Sequence, residues 1–352
     1  MTHPTNTRPD LNARPSFLDT ATTRISRRGL LRAAAGGAVI ASAGIVGTRS
    51  FAAARKLTFA WNASAFCLSP VVVAQERGYF ERNGVDVDLI NYTGSTDQLL
   101  EAMSTGKADV GVGMIHRWLK PLEAGFDVKI ISSSHGGCVR LLGAKSAGVT
   151  DLQKLKGKTI GVSDLASPGK NFFSILLAKN RIDAERDVQW RQYPADLLSI
   201  AVDKGEIQAI ADGDPNLFLL DKRAPGQYVE LATNLSGEYA NKVCCIVGAR
   251  GDLVRNDKAA AAGIARAIVQ ASDFVAHNPN EAAKLFAKYS PKVPVEDLRA
   301  MLGTLTHQHH PTGGDLRGEI EFYANDFRSV GVLKKSTNPA KFADHVYADV
   351  LG

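Results

Sequence analysis

The chain has 352 residues, 42 Lys and Arg against 36 Asp and Glu, a net charge of +6 and a 45% hydrophobic fraction. Residues 1–54 hold seven Arg and two acids, so the other 298 carry 35 bases and 34 acids (42 − 7 and 36 − 2), a net +1 that gives no reason to invoke nucleic acid or a membrane surface. Four Cys are too few for a disulfide-stapled scaffold, and the length is near the size at which one core divides into two.

The first segment reads as an export leader. Ile25-Ser26-Arg27-Arg28-Gly29-Leu30-Leu31 places a twin arginine before apolar residues, Ala33 to Val46 is an Ala- and Gly-rich apolar run, and Ser50-Phe51-Ala52-Ala53-Ala54 offers an A-x-A cleavage signal. The run is shorter than the ~20 residues of a spanning helix, and no Cys follows it to carry a lipid. Residues 1–54 are therefore expected to be a twin-arginine signal peptide, cleaved after Ala54. No later segment reads as apolar for long enough to span a bilayer.

Lys56–Trp61 alternates as a first strand, and Ser69-Pro70 after it opens a helix, Ser as N-cap and Pro at the first helical position. Gly78 closes that helix, Gly78–Gly84 is a turn, and Val85–Ile90 alternates strictly as a second strand. Ser95 to Gln98 has capping-box spacing, with Leu99, Leu100 and Met103 as the buried face of its helix. Asp109–Gly113 is a third strand whose small residues allow close approach to the backbone. His116–Leu122 is a helix and Val128–Ser133 a fourth strand. The chain then breaks at His135-Gly136-Gly137-Cys138 and resumes as a strand at Val139.

The next hundred residues repeat this order of units. Asp151–Lys158 is a short helix and turn, Thr159–Val162 a strand, and Ser167-Pro168 opens the helix to Lys179. Val188–Tyr193 is a strand, Leu197-Leu198 sit in a helix ending at Gly205, Gly205–Gly213 holds a Gly-flanked strand, and Asp214-Pro215 opens another helix. Tyr228–Ala232 and Asn241–Ala249 are strands, the latter a return crossing to the first lobe. Helices follow over 258–277, 280–289, 295–304, 316–330 and 339–350, with 306–314 irregular, and are expected to buttress the first lobe. Strands alternating with helices predict an α/β fold of parallel sheets. The division expected is 55–137 with 248–352 as lobe I and 138–247 as lobe II.

In such sheets ligands bind beyond the carboxyl ends of strands, where helix N-termini present free N–H groups. Asn62, Ser69, Ser95, Thr96 and Ser167 are candidates on that ground, although each Ser or Thr alone is also an ordinary cap. Asp212 and Asp214 could meet a cationic group, Asp214 more simply as a cap. Arg140 could meet a ligand carboxylate or sulfonate, or serve in a surface salt bridge. No G-x-S-x-G elbow, P-loop or G-x-G-x-x-G after a strand is present, so no enzyme activity is expected.

Together, Arg77-Gly78-Tyr79-Phe80-x-x-x-Gly84-Val85-Asp86-Val87, Gly94-Ser95-Thr96 and Gly106-Lys107-Ala108-Asp109-Val110-Gly111 resemble the nitrate/sulfonate/taurine-type solute-binding proteins of ABC importers, a family that includes thiamine-pyrimidine-precursor binders and the related pyrimidine synthase. The resemblance runs from about Leu57 to Val247. It implies a two-lobed periplasmic-binding-protein fold with a C-terminal helical tail, closing on a small anionic or heterocyclic solute. It further implies a periplasmic monomer that works with an ABC permease and ATPase and needs no cofactor. By position it places the pocket near Cys67-Leu68-Ser69, Gly94-Ser95-Thr96, Met114-Ile115-His116, Ser167 and Asp212-Gly213.

Thiols and imidazoles depart from that pattern. Cys67, His116, His135 and Cys138 fall at or near the expected cleft, and Cys244-Cys245 on the return crossing. Cys67, His116, His135 and Cys138 join the ligand-binding candidates, and three readings stay open for the group: a soft-metal or metal-chelate site, a disulfide from Cys138 to Cys244 or Cys245, and small buried hydrophobes. No C-x-x-C or H-x-x-x-H spacing is present, so no metal ligand is assigned. The pyrimidine synthase holds iron with a Cys-rich run that a Cys-Cys pair matches poorly. A metal-chelate receptor or an iron- or cofactor-dependent enzyme of that type is the alternative function. His307, His309 and His310 read as a surface loop, with a metal site shared with the cleft as the other reading.

Overall fold

The computed structural model describes residues 55–92 and 95–352. The expected leader, its cleavage site and Gly94 lie outside the described residues.

Among the described residues, ten strands form two five-stranded sheets. The first has the order β2-β1-β3-β10-β4, from β1 (Arg55–Trp61), β2 (Val85–Asn91), β3 (Val110–Met114), β4 (Val128–His135) and β10 (Cys245–Arg250). The second has the order β7-β6-β8-β5-β9, from β5 (Val139–Ala144), β6 (Thr159–Val162), β7 (Gln189–Gln192), β8 (Ala209–Gly213) and β9 (Tyr228–Thr233). In each, three neighbouring strands pair in parallel, and one strand, β10 or β5, runs antiparallel between its two neighbours. The sheets are therefore mixed and mainly parallel. The reversed strands are the ones that enter a sheet from the other one.

Helices α1 (Ser69–Glu76), α2 (Tyr79–Arg82), α3 (Thr96–Ser104) and α4 (Ile115–Glu123) belong with the first sheet, and α5 (Pro168–Lys179), α6 (Leu198–Asp203) and α7 (Asn216–Arg223) with the second. Local chemistry accounts for much of this. In β2 the alternation Val-Asp-Val-Asp buries Val85 and Val87 and exposes Asp86 and Asp88. At α3 the capping box forms in full: the Ser95 hydroxyl accepts from the Gln98 amide, and the Gln98 side chain accepts from the Ser95 amide. Gly78 takes a φ of +65° between α1 and α2, where the expected turn is one helical turn. At α1 the cap is Leu68, so Ser69 is the first helical residue and is buried.

The tail adds α8 (Gly251–Asn256), α9 (Lys258–His277), α10 (Pro279–Phe286), α11 (Val295–Leu302), α12 (Gly313–Ser329) and α13 (Pro339–Val346). By length and composition α9 is apolar enough to cross a membrane, which the sequence reading denied to any segment after the leader. It packs instead on α1 and β4, with Ile264, Ile268 and Ala271 fully buried. α12 does not buttress the first lobe alone. It touches α4 and α5, its Asp326 accepts from the Tyr239 hydroxyl at 2.6 Å, and its Glu319 accepts from the Val243 amide at 2.7 Å. Tyr239 and Val243 lie between β9 and β10, so α12 is tied to the link between the sheets.

Two crossings join the sheets, at Gly136–Cys138 and Asn234–Cys244. They lie side by side. Buried Asn234 accepts from the Val139 amide at 2.9 Å and donates to the Gly137 carbonyl at 3.2 Å, and the Cys244 amide donates to the His135 carbonyl at 2.8 Å. The strand expected over 241–249 begins only at Cys245, because Asn241–Cys244 are spent on the crossing, and Cys245–Val247 pair in the first sheet.

Candidate functional site

At the carboxyl ends of β1, β3 and β6 the chain encloses a cavity of about 380 Å³. Trp61, Asn62, Cys67 and Leu68 line it from the end of β1 to the start of α1, Tyr92, Ser95 and Thr96 from the start of α3, Met114 and Arg117 from the end of β3 and α4, and Ser163 and Pro168 from the second sheet's side. Cys245 closes one side. Trp61 is held by edge contacts with Phe286 and Tyr289, which fixes its ring as a wall.

Among the described residues, Arg117 is the only charged one that lines this cavity. Its Nη1 donates to Asp164 Oδ2 at 2.6 Å, Asp97 lies 4.0 Å from Nη2, and its buried Nε has no partner among the described residues. An unpaired buried donor of this kind costs about 1–3 kcal/mol. Burial works against the Asp164 carboxylate, yet the Ala166 amide and the Arg117 guanidinium hold its pKa below the ordinary value. Beside this pair, Asn171 on α5 donates to the His116 carbonyl at 2.9 Å.

Of the sequence candidates, Asn62, Cys67, Ser95 and Thr96 line the cavity. Asn62 is exposed, and its carbonyl oxygen accepts from the Ser64 amide and hydroxyl. Ser69, His116, His135, Cys138, Ser167 and Asp212 are buried and do not line it. Ser167 caps α5, its hydroxyl accepting from the Lys170 amide at 3.1 Å. Asp212 accepts from the Ser163 hydroxyl at 2.9 Å while its other oxygen has no partner, and burial pushes its pKa up. Arg140 is neither exposed nor at the cavity. Its Nε lies 2.9 Å from both Asp214 oxygens, Nη1 meets Glu230, and Nη2 donates to Thr304 Oγ1 at 2.8 Å. Asp214 also accepts from the Phe218 amide at 3.0 Å, although the residue that caps α7 is Pro215 and not, as expected, Asp214.

Sequence reasoning missed Trp61, Tyr92, Arg117 and Ser163. Arg117 had one legible signal: a basic residue in the first turn of a helix after a strand, where the helix field disfavours it.

Beneath the cavity the thiols and imidazoles come together. Cys67, His135, Cys138 and Cys245 each offer a ligand atom within 4.8 Å of the others, and all four are buried. The cysteines are free thiols, so the disulfide reading is not realised. Cys138 and Cys244 sulfurs lie 3.2 Å apart. Hydrogen bonds from the Cys138 and Cys245 thiols hold Cys67 well below the usual thiol range, and burial pushes Cys138 well above it. His307, expected in a surface loop, is buried with its ring 4.9 Å from that of His135 and Nε2 3.4 Å from the Cys67 carbonyl. Burial and the neighbouring His135 push its pKa down to about 3. His309 meets Glu319 at 2.7 Å. His116 packs among Phe172, Tyr323 and Phe327, with Nδ1 4.0 Å from Cys244 Sγ and Nε2 unpaired.

Comparison with known proteins gives three kinds of match. Residues 66–282 match a family model described as NMT1/THI5 like. A Brucella abortus protein named as a binding protein is 27% identical over 283 residues, 78% of this chain and 85% of its own. The 4-amino-5-hydroxymethyl-2-methylpyrimidine phosphate synthase of Schizosaccharomyces pombe is 31% identical over 112 residues, which is 30% of this chain and 31% of the synthase. Among solved structures, the periplasmic aliphatic sulphonate binding protein SsuA of Escherichia coli superposes with a TM-score of 0.68 at 15% identity, covering 83% of this chain and 97% of SsuA. That likeness establishes the periplasmic-binding-protein fold.

Proposed function

The chain belongs to the NMT1/THI5-like family, and on that premise we propose that it is a periplasmic solute-binding receptor that delivers a small anionic solute to an ABC importer. The observation that carries this reading is the cavity between the two sheets, with Arg117 as its one charged lining residue among the described residues. A guanidinium with an unpaired Nε suits a sulfonate, carboxylate or similar oxyanion. The N-terminus of α3 adds a partial positive charge at Ser95 and Thr96. Trp61 and Tyr92 offer flat walls for the body of the solute, which also suits a heterocycle. Closure of the lobes about the two adjacent crossings would bring Ser163 and Pro168 onto a solute held by the first lobe.

No reaction is assigned. The likeness to a binding protein spans 78% of the chain and that to a synthase 30%, which favours the receptor. The leader's twin-arginine pair supports export by that route. The partners are an ABC permease and ATPase, and the receptor acts as a monomer.

Thermal-shift and calorimetric titration with alkanesulfonates, taurine, nitrate and pyrimidines tests the reading. At least one anionic solute should raise the melting temperature of the wild type and leave Arg117→Ala unchanged. No shift with any of them, or an equal shift in the variant, would sink it.

A further inference from the structure

We propose that Cys67, Cys138 and Cys245, with His135, form a tetrahedral binding centre for a soft or borderline metal cation such as Zn2+, seated under the solute cavity where the two crossings meet.

The donors come from four separate segments: the turn Phe66–Leu68, the end of β4, the first crossing and the start of β10. Their ligand atoms lie within 4.8 Å of one another. A Zn–S bond of about 2.3 Å sets tetrahedral S–S separations near 3.8 Å, so small side-chain adjustments suffice. Three thiolates and an imidazole are a donor set that soft and borderline cations prefer over Mg2+ or Ca2+.

Two further observations point to a ligand rather than to cysteines used as small hydrophobes. The first is the His135 ring. Its Nδ1 donates to the Gly136 carbonyl at 3.0 Å, while Nε2 is buried without a partner among the described residues. A proton held on one nitrogen by a backbone carbonyl leaves a lone pair on the other, the arrangement found in metal-bound histidines. The second is the backbone of Cys138. Its φ is +83°, a left-handed conformation that few non-glycine residues adopt and that costs energy unless its surroundings enforce it. Here it follows Gly137 at +93° and turns the Cys138 thiol into the cluster.

Binding takes all three cysteines as thiolates with His135 neutral, and releases to solvent the protons that the free thiols hold. Against a divalent cation the centre carries a net charge of −1. Four protein donors close a tetrahedral shell, so the centre is a clamp that ties the cavity turn to both crossings. Cys244, 3.2 Å from Cys138, lies outside the four. The centre does not depend on the solute reading, because no anion-binding residue is among its donors.

Anaerobic titration of the reduced full chain with Co2+, followed by displacement with Zn2+, tests it. One equivalent of Co2+ should produce the intense ligand-field and thiolate charge-transfer bands of a tetrahedral thiolate site, and Zn2+ should abolish them stoichiometrically. Cys138→Ser and Cys245→Ser should weaken Co2+ binding by about 100-fold or more, while Cys244→Ser keeps the bands. Because a serine variant could lose its fold, the wild-type spectrum is decisive alone. Absent or octahedral Co2+ bands would overturn the proposal, as would a Cys138–Cys244 disulfide in protein purified without reductant. Failure of every sulfonate to bind would leave the Co2+ result unaffected, so the two readings fail separately.

Discussion

Arg117 on α4 reaches across the cavity and donates to Asp164, in the segment that follows β6, at 2.6 Å. One residue belongs to the first sheet's helices and the other to the second sheet's loops. The pair therefore bridges the two halves, and on the proposed reading Asp164 balances the Arg117 charge that an anionic solute would meet.

Arg117→Ala should weaken binding of an anionic solute about 10- to 100-fold, since a charge-assisted hydrogen bond contributes about 1.5–3 kcal/mol. The fold should lose less, within about 1 kcal/mol, because the Asp164 side chain is 38% exposed and regains water. Calorimetry for affinity and urea denaturation for stability separate the two effects.

Asp212 predicts a pH dependence whose sign follows from its raised pKa. Between its ordinary value and the raised folded value the native state holds more protons than the unfolded one. Stability contributed by this group is present at low pH and falls as pH rises through that window. At neutral pH its ionised form is a cost. Asp212→Asn keeps an acceptor for Ser163 and should be at least as stable as wild type at pH 7, with the difference shrinking toward acid. A wild-type-minus-variant melting profile against pH that rises in the other direction would contradict the assignment.

Arg140 is predicted to be structural. Arg140→Met strands the fully buried Asp214 carboxylate, which should cost about 3–5 kcal/mol. Adding Asp214→Asn should recover part of that loss while the Phe218 amide keeps its acceptor. Solute affinity of the double variant should match wild type, and a selective loss of affinity would return Arg140 to the site.

At the first crossing, a Cβ on Gly136 would stand 2.3 Å from Thr306 Oγ1 and 2.5 Å from the Lys242 carbonyl oxygen. Gly136→Ala should destabilise the fold by about 1–3 kcal/mol. In contrast, Gly318 faces open space on α12, so Gly318→Ala should stabilise by about 0.5–1 kcal/mol. Chemical denaturation of both variants reads the contrast directly.

Much of the scaffold was legible before any fold was drawn. Alternation marked β1 and β2, the Ser95–Gln98 spacing marked α3, and repeated Gly and Ser-Pro punctuation marked the βα units of both sheets. The order strand, capped helix, strand, repeated around His135–Cys138, was enough for two sheets joined by a crossing. The site was less legible. Capping residues stood out because their partners are three residues away, whereas Trp61, Tyr92 and Arg117 gain their roles from elements distant in sequence. At the crossing, Gly136 gives its space to Thr306 and Lys242, residues that no local pattern links to it.

Local chemistry thus determined the elements and most of their order, since periodicity, caps and turns act over a few residues and can be read from them. Only the tertiary structure decided that Cys67, His135, Cys138 and Cys245 converge. They span 178 positions between Cys67 and Cys245, and no spacing rule operates over that distance. What brings them together is the pairing of β10 between β3 and β4 and the stitching of two crossings by Asn234. Those are long-range hydrogen bonds, of the backbone along β10 and of the Asn234 side chain at the crossings, and local pattern carries no record of them.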